Sequence, residues 1–477
     1  MPSVAIVGGG FGGVGAAALL ARAGHDDVTL FERGERLGGV WHHNTYPGAA
    51  CDIPSHLYEY SFAPNPGWSR RYAPQPEIQA YVEDVARRFG VRARTSTEVS
   101  SAVWDGGRWV LSTSAGPFTA DVLITACGQL SIPQVPPLPG LDSFAGPAFH
   151  TARWRHDVPL AGRRVAVIGT GCSAVQVVPA IADEVAALDV YQRSPGWTIP
   201  KLDFPYPPRV RAWFARFPAL QRLDRAGNWH FHEFFTHGMV RDNWRLALLR
   251  GAGQFNIRRG LKDPSLRRRV TPTDHVGCKR VMLTDDWYPA LARPHVSLIS
   301  SGVSAITPGG VVARDGVERP ADVLVLATGF KSHEFVAPME ITGRDGRTLA
   351  DAWDPVARAY LGVTVPSFPN LFLLYGPNTN GGTGSVISTI ESSIAHVLAA
   401  LRELERAGAS TIEVRPEAAD AFNASVRAAL AGTVWHSGCT NWYVDADGND
   451  PSNWPWTWTE YRRRTAELAP DAYTLSG

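Results

Sequence analysis

The sequence predicts an α/β chain in which two parallel-sheet units are nested and interrupted by a mostly helical insertion. Three observations predict it. An apolar run at the N-terminus leads directly into a glycine-rich turn, and the same run and turn recur near mid-chain. Between about residues 206 and 275 the composition shifts to tryptophan, phenylalanine, arginine and leucine at helical spacing. A length of 477 residues agrees, because it exceeds what one compact core organises and calls for two or three domains.

In the first unit, Val4-Ala5-Ile6-Val7 suits a central parallel strand, and GGGFGG follows at once, leading into an alanine-rich helix over Val14 to Ala23. Gly8, Gly10 and Gly13 occupy the glycine positions of G-x-G-x-x-G: the first for a tight turn, the second for approach of a pyrophosphate, the third for close helix–strand packing. The helix N-terminus adds amides and a positive dipole end. Alone this motif is weak. A second apolar strand, Val28-Thr29-Leu30-Phe31, ends at Glu32, 22 residues after Gly10, where a carboxylate can hold both hydroxyls of an adenosine ribose.

The second unit repeats the pattern. Arg164 to Ile168 is a strand, and Gly169, Gly171 and Ala174 fill the turn in GTGCSA. The next strand, Ala187 to Tyr191, leads to Arg193, at the offset from Gly171 that Glu32 has from Gly10. A guanidinium there replaces a carboxylate that would repel a 2′-phosphate, so this Rossmann-like site is expected to prefer NADPH over NADH, and the first is expected to hold FAD. Residues 120–128 and 321–329 read as equivalent crossing strands, each starting at an aspartate and ending at a glycine. Leu371 to Asn378 reads as a further strand entering a turn and then a helix from about Ser385.

Composition narrows the partners. The 46 basic and 45 acidic residues nearly cancel, which suggests no nucleic-acid or anionic-membrane partner. Ser3 to Ala21 carries no charge but lacks a basic leader and is broken by six glycines, so it reads as strand, turn and helix, and a soluble protein is expected. Five widely spaced cysteines with no C-x-x-C pair fit a reducing cytoplasm. His232-Glu233 with His237 superficially suggests zinc, but five-residue spacing puts the histidines on different helix faces, so no metal is expected.

With these pieces placed, the chain resembles the flavoprotein Baeyer-Villiger monooxygenases, relatives of the flavin-containing monooxygenases, over nearly its whole length. Phe144 to Trp154 matches the family fingerprint F-x-G-x-x-x-H-x-x-x-W at all four fixed positions, through Phe144, Gly146, His150 and Trp154, although Arg155 then replaces the usual proline or aspartate. His150 and Trp154 read as architectural, in a linker between domains. Tyr46-Pro47-Gly48-Ala49-Ala50-Cys51-Asp52-Ile53-Pro54-Ser55 resembles the segment whose aspartate sits beside the flavin, and Gly277-Cys278-Lys279-Arg280 the one bearing the active-site arginine, with Val281 where proline is common. The resemblance implies a catalytic pair, Asp52 and Arg280, with Lys279 joining Arg193 at the 2′-phosphate and Trp435 covering the nicotinamide. Gly39, Trp41, Val99, Ser173 and Asn378 complete the cofactor-binding candidates. Considered singly, Asp52 would be a turn cap and Arg280 a surface ion-pair partner; their motifs reverse those odds.

The implied activity is insertion of one oxygen atom from O2 beside a ketone carbonyl, giving an ester or lactone through a flavin C4a-peroxide that a fixed guanidinium keeps anionic. The rival activity is oxygenation of sulfur or nitrogen by the protonated flavin adduct. A disulfide reductase would need a cysteine pair near the flavin, which the sequence lacks; a sensor without turnover would have little use for Arg193, Lys279, Arg280 and Asp52 together. The expected division is 1–140 and 331–477 for FAD, 141–205 and 276–330 for NADPH, and a helical insertion over 206–275 roofing a pocket for a hydrophobic ketone. A monomer or homodimer is expected.

Overall fold

The computed structural model describes residues 1–477. Two five-stranded, all-parallel sheets form its frame. In the first, the strands lie in the order 371–373, 122–125, 4–7, 28–31, 93–94. In the second the order is 296–299, 187–191, 164–168, 323–326, 148–150. Each strand that enters a glycine turn is therefore flanked by its crossing strand, in the registers Val4 to Val122 and Val165 to Val323. Strands buried on both faces need continuous apolar runs, and Val122–Thr125 and Val323–Leu326 are buried throughout.

The aspartates that open the crossing strands do the same work in both halves. Asp121 accepts from the Ser3 amide at 2.7 Å and pairs with Arg108, while Asp322 accepts from the Arg164 amide at 2.8 Å and pairs with the Arg164 guanidinium. Each carboxylate thus ties its crossing strand to the start of the neighbouring glycine-turn strand. Each half also carries an accessory sheet: antiparallel strands 99–104, 109–113 and 116–120 with 340–342 added parallel to 99–104 in one, and antiparallel strands 303–307, 310–313 and 318–320 in the other.

Between strands 187–191 and 296–299 the chain builds helices Pro208–Arg216, Pro218–Arg241, Arg245–Gly260 and Pro264–Val270. The longest is bolted to the first unit. Arg225 donates to the carbonyls of His56 and Glu59 at 3.0 and 2.9 Å, and Glu233 accepts the amides of Trp458 and Thr459. His232 meets the Thr383 hydroxyl at 2.5 Å. His232 and Glu233 thus anchor this helix to the segments around Thr383 and Trp458.

Two boundaries differ from expectation. The first helix spans Phe11–Arg22 rather than starting at Val14, because Gly10 already serves as its N-cap. Only Leu371–Leu373 of the C-terminal run pairs as a strand; Tyr375 and Asn378 then take positive φ of 61° and 55°, which turns the chain before helix Val386–Ala407, capped at Ser385. A third difference is covalent. Cys278 and Cys439, 161 residues apart, form a disulfide, so the absence of a local cysteine motif did not mean absence of a pair. The cysteines therefore no longer argue for a reducing compartment. No helix is long and apolar enough to cross a membrane.

Candidate active site

Both glycine turns are shaped by the same steric demand. Gly8 and Gly169 have φ of +111° and +115°, and a Cβ on either would stand 2.4 or 2.3 Å from a crossing-strand carbonyl, that of Ala126 or Ala327. Gly13 also has no room, since its Cβ would lie 1.9 Å from the Gly8 carbonyl oxygen. Gly171 is the opposite case: nothing lies within 4 Å of a Cβ there, so its surface is open to a ligand. Ser173 is the N-cap of the following helix, Ala174–Ile181.

At the first turn, buried Glu32 accepts the amides of Gly9 and Gly34, both at 2.7 Å. Gly39 closes against Gly10, where a Cβ would come within 2.8 Å of its Cα, and Gly38 donates to the Gly9 carbonyl at 2.8 Å. Trp41 is half-buried and donates to the Tyr58 hydroxyl at 3.1 Å. Val99 is buried in the core of the accessory sheet, two residues beyond Thr97, whose amide bonds the Glu32 carbonyl at 2.9 Å. At the second turn Arg193 is exposed, and Lys279 donates to the neighbouring Ser194 hydroxyl at 3.0 Å while pairing with Asp274. The two cations are thereby brought to one end of the second sheet.

The seam between the units carries the chemistry-bearing residues. Tyr46 and the Ala50 amide both bond the Gln176 side chain at 3.0 and 3.3 Å, docking the 46–55 segment on the helix of the second turn. From that segment Asp52 receives Nε and Nη2 of Arg280 at 3.2 and 2.6 Å. Both side chains are about a quarter exposed, at 26% and 25%. Burial raises the Asp52 carboxyl, but the charge and hydrogen bonds of Arg280 more than reverse this and hold it below the ordinary carboxylate value. The carboxylate in turn holds Arg280 well above its own, so both partners stay ionised.

Several neighbours of this pair escaped sequence reading. The Cys172 thiol, from the GTGCSA turn itself, lies beside Arg280; burial pushes it up and the guanidinium opposes this. Tyr375 and Tyr443 face the same charge, and burial raises both above the ordinary phenol value. Burial lowers His232 to about 4, so it is a neutral imidazole near the pair. Cys172 could have been found, since it stands inside a motif; the others come from distant segments.

The C-terminal candidates divide. Asn378 donates its side-chain amide to the carbonyls of Asp450 and Asn453 at 2.8 and 3.1 Å, so it binds the two loops together. Trp435 is buried, at 1% exposure, against the Gly382 loop, and its carbonyl accepts Asn441 Nδ2 at 2.9 Å. The Cys278–Cys439 bridge ties this loop to the one that bears Lys279 and Arg280.

Known proteins agree with this architecture. The family described as pyridine nucleotide-disulphide oxidoreductase matches residues 5–229. A Baeyer-Villiger monooxygenase of Streptomyces coelicolor is 43% identical over 98% of this chain and 91% of its own length, and one of Pseudomonas aeruginosa is 40% identical over 99% and 91%. The chain belongs to the Baeyer-Villiger monooxygenases. Among solved structures, this monooxygenase is similar to an oxidized steroid monooxygenase bound to NADP, with a TM-score of 0.87 and 31% identity over 100% of this chain and 99% of that one. It is also similar to a closed cyclohexanone monooxygenase, with a TM-score of 0.87 and 28% identity over 100% and 99%. A third likeness is to OTEMO in complex with FAD and NADP, with a TM-score of 0.88 and 27% identity over the same shares. As a Baeyer-Villiger monooxygenase the chain is an oxidoreductase, and the disulfide-reductase reading falls despite the cysteine pair.

Proposed function

We propose that this monooxygenase uses NADPH and FAD to insert one oxygen atom of O2 beside the carbonyl of a hydrophobic ketone, giving an ester or lactone. The observation that carries the reading is the Arg280–Asp52 ion pair at the seam between the two turns. The residues present fit both coenzymes. Open Gly171 with Arg193 and Lys279 suits a phosphorylated nicotinamide dinucleotide, and Glu32 at the first turn suits a ribose. Buried polar atoms without protein partners, the indole Nε1 of Trp435, the hydroxyl of Tyr443 and Oε1 of Gln129, call for a further bound group. In this reading the FAD unit comprises 1–140 and 331–477, the NADPH unit 141–205 and 276–330, and residues 206–275 roof the pocket.

Bound FAD and NADPH would supply the electrons that activate O2. Arg280 would supply a permanent positive charge where negative charge develops on oxygen. Asp52 fixes the direction of that guanidinium and cannot take its proton, because the pair holds the carboxyl ionised. His232, neutral above about pH 4, adds a polar group without a competing charge. Tyr375, Tyr443 and Trp435 pack around the pair with largely apolar side chains, which limits water there and suits an apolar ketone.

Mass spectrometry of products from a panel of ketones, thioethers and amines incubated with enzyme, NADPH and O2 tests this. Esters or lactones are expected from ketones; sulfoxides or amine oxides with no ester from any ketone would assign the enzyme to the rival chemistry.

A further inference from the structure

The outer face of the helical insertion is apolar where a solvent face is ordinarily polar. On helix Pro218–Arg241 the side chains of Leu220, Leu223 and Phe231 are 42%, 68% and 54% exposed, with exposed Gly227 between them and half-buried Phe234 next. Steps of three and four residues put all five positions on one stripe. Helix Arg245–Gly260 repeats this from its N-cap: Trp244, Leu248 and Phe255 are 63%, 51% and 58% exposed, again at steps of four and seven. The stripes meet, since Phe234 and Trp244 have ring centroids 5.7 Å apart and the Arg245 guanidinium lies over both rings at 4.8 and 5.3 Å.

These residues are not required by the core. The inner sides of the same helices already bury Met239, Leu246 and Leu249. The outer stripe is thus a surface in search of a cover, and its surroundings indicate which cover. Residues 206–275 contain 14 arginines and lysines against five aspartates and glutamates, a surplus of nine positive charges in a chain whose net charge is +1. Arg216, Arg222, Arg241, Arg250 and Arg258 are exposed and enter no ion pair. The near-neutral total, which argued against an anionic surface, averages a strongly basic insertion with an acidic remainder.

We infer that the insertion docks peripherally on an anionic lipid surface, with Leu223, Phe231, Trp244 and Leu248 entering the headgroup boundary and the arginines meeting lipid phosphates. An amphipathic helix pair with aromatic and leucine side chains fringed by arginine has the composition such binding needs. A second copy of the chain fits worse, because it would bring two basic faces together. Nucleic acid would use the arginines and leave the apolar stripes uncovered. The helices lie on the bilayer; none is long and apolar enough to cross it. Met239 of the longer helix packs against the Gly382 loop beside Trp435, so one helix touches the site on its inner face and lipid on its outer face. The inference rests on surface chemistry and stands whichever substrate the enzyme oxygenates.

Co-sedimentation of the purified full chain with vesicles tests it. Vesicles mixing phosphatidylglycerol with phosphatidylcholine should retain the protein at low salt, pure phosphatidylcholine vesicles should retain far less, and added salt should release it. Leu223→Glu with Phe231→Glu, and separately Arg241→Glu with Arg258→Glu, the two exposed arginines that helical spacing puts beside the stripes, should each lower the partition coefficient roughly tenfold or more, with NADPH oxidation unchanged. No sedimentation with anionic vesicles overturns the inference. So does undiminished binding by either double variant. A concentration-dependent dimer in ultracentrifugation that the Leu223→Glu, Phe231→Glu variant abolishes, without vesicle binding by the parent, would give the surface to a second copy instead.

Discussion

The two glycine turns share a backbone and differ in charge. Gly8 and Gly169 take nearly the same positive φ against equivalent crossing strands, yet one turn is followed by buried Glu32 and the other by exposed Arg193 with Lys279 close by. The difference teaches that two turns of one geometry can carry opposite charges 22 residues on, and in the proposed reading that side chain would select which dinucleotide enters. It also sets apart the proposed reactive pair: Arg280 and Asp52 meet where the 46–55 segment of one unit docks on the helix of the other.

That comparison breaks first at the seam. Arg280→Ala should lower ester formation by about 10²–10³-fold, the loss expected when one preorganised donor is removed, while NADPH still reduces the flavin because both turns are intact. Stopped-flow absorbance at the flavin band checks this, and ester yield undiminished in the variant would remove Arg280 from the proposed chemistry. Next in size, Cys439→Ser should destabilise the fold by about 2–4 kcal/mol, read as a lower urea midpoint, because the bridge closes a long loop. Reduction of the wild type with a dithiol should move the midpoint the same way.

The selectivity of the turns comes third. Arg193→Ala or Lys279→Ala should raise KM for NADPH roughly 10–100-fold and leave KM for NADH nearly unchanged, as loss of one charge-assisted hydrogen bond implies. Glu32→Gln should instead weaken flavin retention without altering the NADPH to NADH ratio. Equal effects of Arg193→Ala on both nicotinamides would abolish the contrast between the turns. Smallest of all, Asp322→Asn should cost about 1 kcal/mol or less, because the pair with Arg164 is near the surface. Hydrogen bonds from Arg164 hold the Asp322 carboxyl at about 2, below its unfolded value, so its contribution is present above the unfolded carboxylate range. It is lost as pH falls from about 4 to 2, and the variant's thermal midpoint should converge on the wild type's there.

Much of this molecule was legible before folding. The strands 4–7, 28–31, 164–168 and 187–191, the matched crossing strands and the helices between 206 and 275 follow from local rules, namely apolar runs, glycine turns and helical periodicity. Motif context also singled out Asp52 and Arg280, 228 residues apart, although nothing in either segment states that they touch. The strand ends at Leu373, short of the apolar run, because positive φ at Tyr375 and Asn378 leaves no mark on the sequence of that run.

By itself, then, the order of residues determined both glycine turns and their opposite charges, because each depends on neighbours within about thirty positions. Tertiary structure alone decided that Cys278 would find Cys439, that Cys172, Tyr375, Tyr443 and His232 would surround one guanidinium, and that the leucines and phenylalanines of the insertion would divide between core and surface. The physical reason is common to all three. Periodicity tells which residues share a face, but what a face meets depends on packing between segments far apart in the chain, and local spacing carries no record of that encounter.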